Sequence, residues 1–204
     1  KPRRVVVLDF NSNGRFDDTM TIATVSGTFY PRPGDTIFVD PDAADFTYGY
    51  DPTTSETQHY LGELLHVSGK FFEASVSPAG DSITFKDTAA SVGYVSNASK
   101  GYRALVRGNQ GIVKICCDGN GRSPLPAGNW KLIQYSIDRS KRTVETNGTK
   151  QPVWTLVSAR APSDYAAVEI QAGETTPMPF GPPYKPTVKA TRRSGNTVQL
   201  SMSL

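Results

Sequence analysis

Period-two alternation of apolar and polar side chains recurs along this 204-residue chain, and no stretch sustains the i, i+3, i+4 apolar spacing of an amphipathic helix. Segments patterned this way bury one face each against a neighbouring layer. The predicted fold class is therefore all-β, with two antiparallel β-sandwich units. Eighteen Gly and fifteen Pro supply the turns such a fold needs. The clearest hairpin runs over Lys70–Ser77, turns through Pro78-Ala79-Gly80-Asp81 and returns over Ser82–Lys86, with Phe72, Ala74 and Val76 sharing one face. A second runs over Tyr102–Arg107, turns at Gly108-Asn109-Gln110-Gly111 and returns over Ile112–Cys117. Further strands are expected at Arg4–Phe10, Thr36–Val39, Trp130–Ile137, Pro152–Ala159, Tyr165–Ala172 and Thr197–Leu204, and only Ser55–Leu65 offers a helical turn or two.

Asp118–Pro126 combines Gly and Asn with two prolines, so it reads as a connector between a β domain at 1–120 and a second sandwich at 126–204. Five prolines within Pro177–Pro186 exclude a central strand there.

The run Asp9-Phe10-Asn11-Ser12-Asn13-Gly14-Arg15-Phe16-Asp17-Asp18 carries the most specific chemistry. Oxygen-bearing side chains at alternate positions around a glycine suit a hard cation. Asp9, Asn11 and Asn13 offer oxygens, Gly14 permits the sharp turn, Arg15 offers its carbonyl, and Asp17, with Asp18 beside it, completes the acidic side. The loop is not an EF-hand: position twelve is Met20 rather than Glu, and Arg4-Val5-Val6-Val7-Leu8 enters as a strand. It resembles the DxNxNG calcium loops of secreted bacterial proteins, which implies calcium as the cofactor and a further ligand from elsewhere, with Asp40 or Asp42 the candidates. The alternative is a turn held by Asx hydrogen bonds with no ion.

The net charge of +3 divides unevenly: residues 1–65 carry −5 and residues 66–204 carry +8. No run of Lys or Arg exceeds two, so no nucleic-acid face is expected. Nor does any apolar run approach the ~20 residues that cross a membrane. A first residue of Lys rather than Met suggests a processed or excised chain.

Cys116 and Cys117 are adjacent, so an ordinary intrachain disulfide is not expected, and the thiols are read as free, with a vicinal disulfide, an intersubunit bridge or a soft metal site as the alternatives. Alternation puts Lys114 and Cys116 on one face and Val113, Ile115 and Cys117 on the other, with Cys117 the more buried. His59 and His66 belong to no nucleophile or metal motif and read as structural; GxSxG, HExxH and GxxxxGK[ST] are absent. Tyr48 and Tyr50, on one side of an extended Phe46–Tyr50 segment, are candidates for a glycan-stacking platform.

Pro126-Ala127-Gly128-Asn129-Trp130-Lys131-Leu132, with the later Val168-Glu169-Ile170-Gln171-Ala172-Gly173-Glu174-Thr175, resembles the paired motif of transthyretin-like or carboxypeptidase-regulatory-like β-sandwich modules. Trp130 stands where that pattern prefers Tyr, and Ile170 where it prefers Val. The whole chain resembles exported proteins of environmental bacteria that pair such a module with a DxNxNG loop. The resemblance implies a non-enzymatic accessory module, transthyretin-like or Ig-like, secreted or on the cell surface.

The function expected is structural or adhesive: a calcium-stabilised module that associates with itself, or with other cell-surface proteins, through the strands Val5–Phe10 and Thr197–Leu204. Its rivals are a carbohydrate-binding module and a hydrolase whose carboxylate pair leaves no local motif.

Overall fold

The computed structural model describes residues 2–41, 55–138, 142–146, 149–153, 156–184, 187–192 and 198–203. Among these the chain forms strands and no helix. In chain order they are β1 (Val5–Leu8), β2 (Thr21–Val25), β3 (Thr28–Arg32), β4 (Thr36–Val39), β5 (Gln58–Tyr60), β6 (Glu63–Val67) and β7 (Lys70–Val76). Next come β8 (Ile83–Asp87), β9 (Val92–Ser96), β10 (Tyr102–Gly108), β11 (Gly111–Cys116), β12 (Arg122–Pro126) and β13 (Gly128–Asp138). The last are β14 (Arg142–Thr146), β15 (Thr149–Val153), β16 (Leu156–Arg160), β17 (Val168–Ile170), β18 (Thr175–Pro177), β19 (Thr187–Arg192) and β20 (Val198–Ser203).

An eight-stranded sheet in the order β16-β13-β10-β11-β6-β7-β8, with β17 also on β13, forms the middle layer. Both expected hairpins belong to it: Val76 faces Ile83 across one, and Gly108 faces Gly111 across the other. β13 pairs with β10 from Tyr102↔Ile137 to Gly108↔Trp130, so one sheet runs across residues 118–126. The division at 120/126 is corrected accordingly. Residues 122–126 are a strand that pairs with β9, since a proline on an edge forfeits no ladder bond. The segments Pro126–Leu132 and Val168–Thr175 meet directly in the pairing Gly128↔Ile170.

Both faces of its central strands are covered. On one side Tyr102, Val106, Val113, Trp130, Leu132 and Ile137 pack against Val95 and Leu125 of the three-stranded sheet β12-β9-β18, Met178 just after β18, and Ile170 of β17. Trp130 is fully buried and its indole N–H donates to the Pro126 carbonyl at 2.7 Å. On the other side Leu105 and Ile133 meet Met20 and Tyr60, with Ile22 and Phe29 beside them. Ile133 reaches that face because the β10–β13 register shifts there: Leu105 pairs Gln134 and Val106 pairs Leu132, leaving Ile133 as the extra residue of a bulge. Further along the same face Leu65 and Val76 pack beneath Ile37 and Leu61, with Val5, Val7 and Val39 of the β1-β4-β5 sheet against them.

Three expectations about local structure need correction. Ser55–Leu65 holds no helical turn; it supplies β5 and the start of β6. The chain reverses at Gly62, whose φ of +92° suits glycine and whose missing Cβ makes room for Thr19. The strand expected at Pro152–Ala159 is two, β15 and β16. The one expected at Tyr165–Ala172 shrinks to Val168–Ile170, because Tyr165 lies in a turn and its hydroxyl donates to the Pro179 carbonyl. No helix among the described residues is long and apolar enough to cross a membrane.

Candidate functional site

Strand β1 delivers the chain into the loop at Asp9, where Ser12 and Gly14 both take positive φ (57° and 81°) and close the turn the sequence anticipates. The Asp9 carboxylate accepts the N–H groups of Asn13 (3.2 Å) and Gly14 (2.7 Å). The Asn11 and Asn13 side-chain oxygens accept from Asn13 N–H and Arg15 N–H. Both amide Nδ2 groups donate to one oxygen of Asp18, each at 2.8 Å. Two carboxylates and two amides thus share one small ring.

Asp17, an expected ligand, instead makes a two-point ion pair with the Arg15 guanidinium at 3.0 and 2.7 Å. Asp40 is at the far end of β1, bonded to Arg4 N–H and paired with Arg3, so it cannot reach the loop; Asp42, Tyr48 and Tyr50 lie outside the described residues. Among the described residues no three His, Cys, Asp or Glu side chains converge as a metal cluster. The donor set that fits a hard cation is Asp9, Asn11, Asn13 and Asp18. It fits on one condition, that the two amides rotate their oxygens toward Asp18 in place of their nitrogens.

The sequence did not single out what positions this loop. Asp35, fully buried, accepts Phe10 N–H at 3.1 Å and Asp18 N–H at 2.9 Å, so one carboxylate clamps both ends. Its own N–H donates to the Asp18 carbonyl at 2.7 Å. Phe16 lays its ring on Gly80 of the β7–β8 turn, where a Cβ would sit 2.7 Å from the ring. Gly34 is equally constrained, because its Cβ would lie 2.2 Å from the Asp18 carbonyl oxygen.

A second polar group lies within the face that also holds the Leu105 and Leu65 packing. β11 and β6 run parallel and pair only at Ile112↔Glu63 and Val113↔Leu64. Beyond that point a slot of about 170 Å³ is lined by Glu56, His59, His66, Lys114, Cys116 and Pro124. Lys114 is 3 % exposed, and its ammonium donates to the backbone carbonyls of Ser55 (3.0 Å), Glu56 (3.4 Å) and Gln58. Glu63, 1 % exposed, accepts Tyr60 N–H at 3.0 Å with one oxygen. Its other oxygen faces His59 Nδ1 at 3.5 Å, too long for a good hydrogen bond, and neither atom has another partner among the described residues.

Burial lowers the pKa of Lys114, with the Glu63 carboxylate opposing, and burial followed by the Lys114 charge lowers that of His59. The arrangement ties the 55–58 segment to the sheet. Of the two histidines, His59 is buried beside this group, and His66 is half-buried at the rim of the slot, where burial lowers its pKa.

The cysteine assignment changes. Both thiols are free and both residues half-buried. The segment that Lys114 holds roofs the face on which Cys116 stands, so burial raises its thiol pKa. Cys117 packs against the core yet also receives the Gly101 N–H at 3.0 Å.

Comparison with protein-family models, with curated proteins and with solved structures finds no match to this chain. The functional reading therefore rests on its own residues.

Proposed function

We propose that this chain is a non-enzymatic structural module of a secreted or cell-surface protein, braced by calcium at its N-terminal loop, that associates with a second copy of itself. The observation that carries the reading is the hairpin β19–β20. Its register sets Ala190 opposite Leu200 and Arg192 opposite Val198, so Val188, Ala190, Val198 and Leu200 share one face. Val188, Val198 and Leu200 are 62 %, 57 % and 69 % exposed, and among the described residues neither strand pairs with any other.

A two-stranded hairpin is at best marginally stable alone. An aliphatic face on a hairpin that no other strand joins among the described residues is the kind of surface that another strand or sheet completes. A second copy presents the same face, and its Arg192 lies at the rim, where two copies need not oppose their charges. A face this small belongs with weak interfaces, below about 1,200 Å² in total, so association should depend on concentration.

Sedimentation of the full chain over a concentration series tests this. The wild type should shift toward dimer or larger, and Leu200→Glu should remain monomeric with an unchanged melting temperature. If both sediment alike at every concentration, the assembly reading is wrong.

A further inference from the structure

The β2–β3 hairpin lies against strands β13 and β16 of the large sheet, and its turn is fastened there. Phe29 N–H donates to the Ala161 carbonyl at 3.2 Å, Ser163 N–H donates to the Gly27 carbonyl at 2.8 Å, and Thr28 bridges to Pro162. Phe29 packs on the core, so alternation turns Tyr30 outward, where it is 37 % exposed. Between hairpin and sheet is a cleft of about 450 Å³ with Thr28, Tyr30, Gln134, Ser158 and Arg160 in its wall. Gln134 and Arg160 are cross-strand partners, and Ser158 stands two residues from Arg160 on the same exposed face of β16.

Arg160 lays its guanidinium over the Tyr30 ring, 4.5 Å from the centroid. The carboxylates of Asp17, Asp40 and Glu56 each take another arginine, whereas among the described residues none pairs with Arg160. Stacking occupies the face of a guanidinium and leaves its in-plane N–H fork for an acceptor. A side chain already pinned to a ring also has less freedom to lose when a ligand arrives.

We propose that this cleft binds a sugar carboxylate, a uronate unit of an acidic glycan, with the carboxylate on the Arg160 fork and the ring hydroxyls against Thr28, Gln134 and Ser158. The wall holds one cation and no acid, which matches a monoanion better than a phosphate dianion. Its hydroxyl and amide groups suit a polyhydroxylated ligand better than an alkyl carboxylate, and its volume falls within the range of about 300–1,000 Å³ usual for small-molecule sites. None of these residues belongs to the hairpin β19–β20, so the outcome of the test is separate from that of the assembly reading.

The probe is digalacturonate, titrated into the full chain by isothermal calorimetry. Its methyl ester keeps the rings and hydroxyls but loses the charge, and acetate keeps the charge without the ring. The wild type should bind the acid, and the ester should bind at least about tenfold more weakly, the scale of a lost charge-assisted hydrogen bond. Arg160→Gln should weaken the acid by the same factor and leave the ester unchanged. Tyr30→Leu, which keeps the charge but removes its support, should weaken the acid by less. Acid and ester are compared on the wild type, so the outcome does not hang on a variant folding. Absence of binding at millimolar digalacturonate, equal affinity for acid and ester, or acetate bound as tightly as the disaccharide would overturn the proposal. A folded Arg160→Gln with wild-type affinity would do the same.

Discussion

Replacing Lys114 with methionine isolates the energetics of the buried polar group, because methionine keeps much of the stem and removes the charge. The ammonium donates to the carbonyls of Ser55, Glu56 and Gln58. Orphaning a buried acceptor costs about 1–3 kcal/mol, and the 3.4 Å bond to Glu56 should count least. The variant also leaves the buried Glu63 carboxylate without the lysine's field. Against this, the ammonium no longer has to be desolvated, which for a buried ion is worth several kcal/mol. Removing one partner of a buried ionic group nets about 3–5 kcal/mol of destabilisation. For a chain of this size that is a fall in melting temperature of about 6–20 °C. Thermal and urea unfolding of Lys114→Met measure it. The double variant Lys114→Met/Glu63→Gln supplies the control, since glutamine keeps an acceptor for Tyr60 N–H while removing the orphaned charge. It should recover part of the loss. A single variant within about 1 kcal/mol of wild type, or a double variant whose losses simply add, would falsify the claim that Lys114 and Glu63 act as a coupled pair.

Acid should weaken the fold before ordinary carboxylates titrate. His59 and His66 both have pKa values lowered below the usual 6.5, His59 by burial and then by the Lys114 charge, His66 by burial. The unfolded chain therefore takes up protons below pH 6.5 that the folded chain refuses. Stability is complete above that pH and declines beneath it, by up to about 1.4 kcal/mol per pH unit for each histidine. Urea midpoints at pH 7.5, 6.5 and 5.5 that do not move would contradict this. Calcium should stabilise the chain: a site in the about 10⁻⁴ M class of extracellular modules gains about 1.4 kcal/mol at about 1 mM ion, or some 3–6 °C. Asp9→Ala should abolish the calcium-dependent increment, whereas a wild-type melting curve indifferent to chelator would leave the loop an Asx turn alone.

Strand alternation and turn chemistry made the all-β class and both central hairpins legible, because those signals are local. Two more hairpin turns were equally local. Ser26-Gly27 and Ser68-Gly69 each link two strands with positive φ at both positions, as two-residue turns of the primed type require. The register of β10 on β13 was not legible, since it joins segments on either side of a proline-containing stretch and prolines on an edge strand look like a linker. Of the loop's six candidate donors, Asp9, Asn11, Asn13, Arg15, Asp17 and Asp18, spacing placed all on one turn, but the pairing of Arg15 with Asp17 lies outside what spacing shows. Asp35 was invisible for another reason: it is a lone acid in Pro33-Gly34-Asp35-Thr36, and only the pairing of β4 with β1 brings it beneath the loop.

The same distinction explains why the burial of Lys114 is not legible in the sequence. Alternation correctly separated it from Val113 and Ile115, and on a two-layer sandwich the face opposite the core is solvent. Here the central strands of the middle sheet are covered on both faces, so the polar face of β11 is itself interior, and the charge must find partners in the 55–58 backbone and in Glu63. The outer strands of that sheet stay partly open, with Phe85 of β8 and Leu156 of β16 at 41 % and 51 % exposure. Beside these edges are the hairpins that stand outside the sheet, and of these β19–β20 displays aliphatic side chains at 57–69 % exposure. An association surface should therefore be sought first on that hairpin, whose aliphatic exposure exceeds that of any large hydrophobic of the layered body among the described residues.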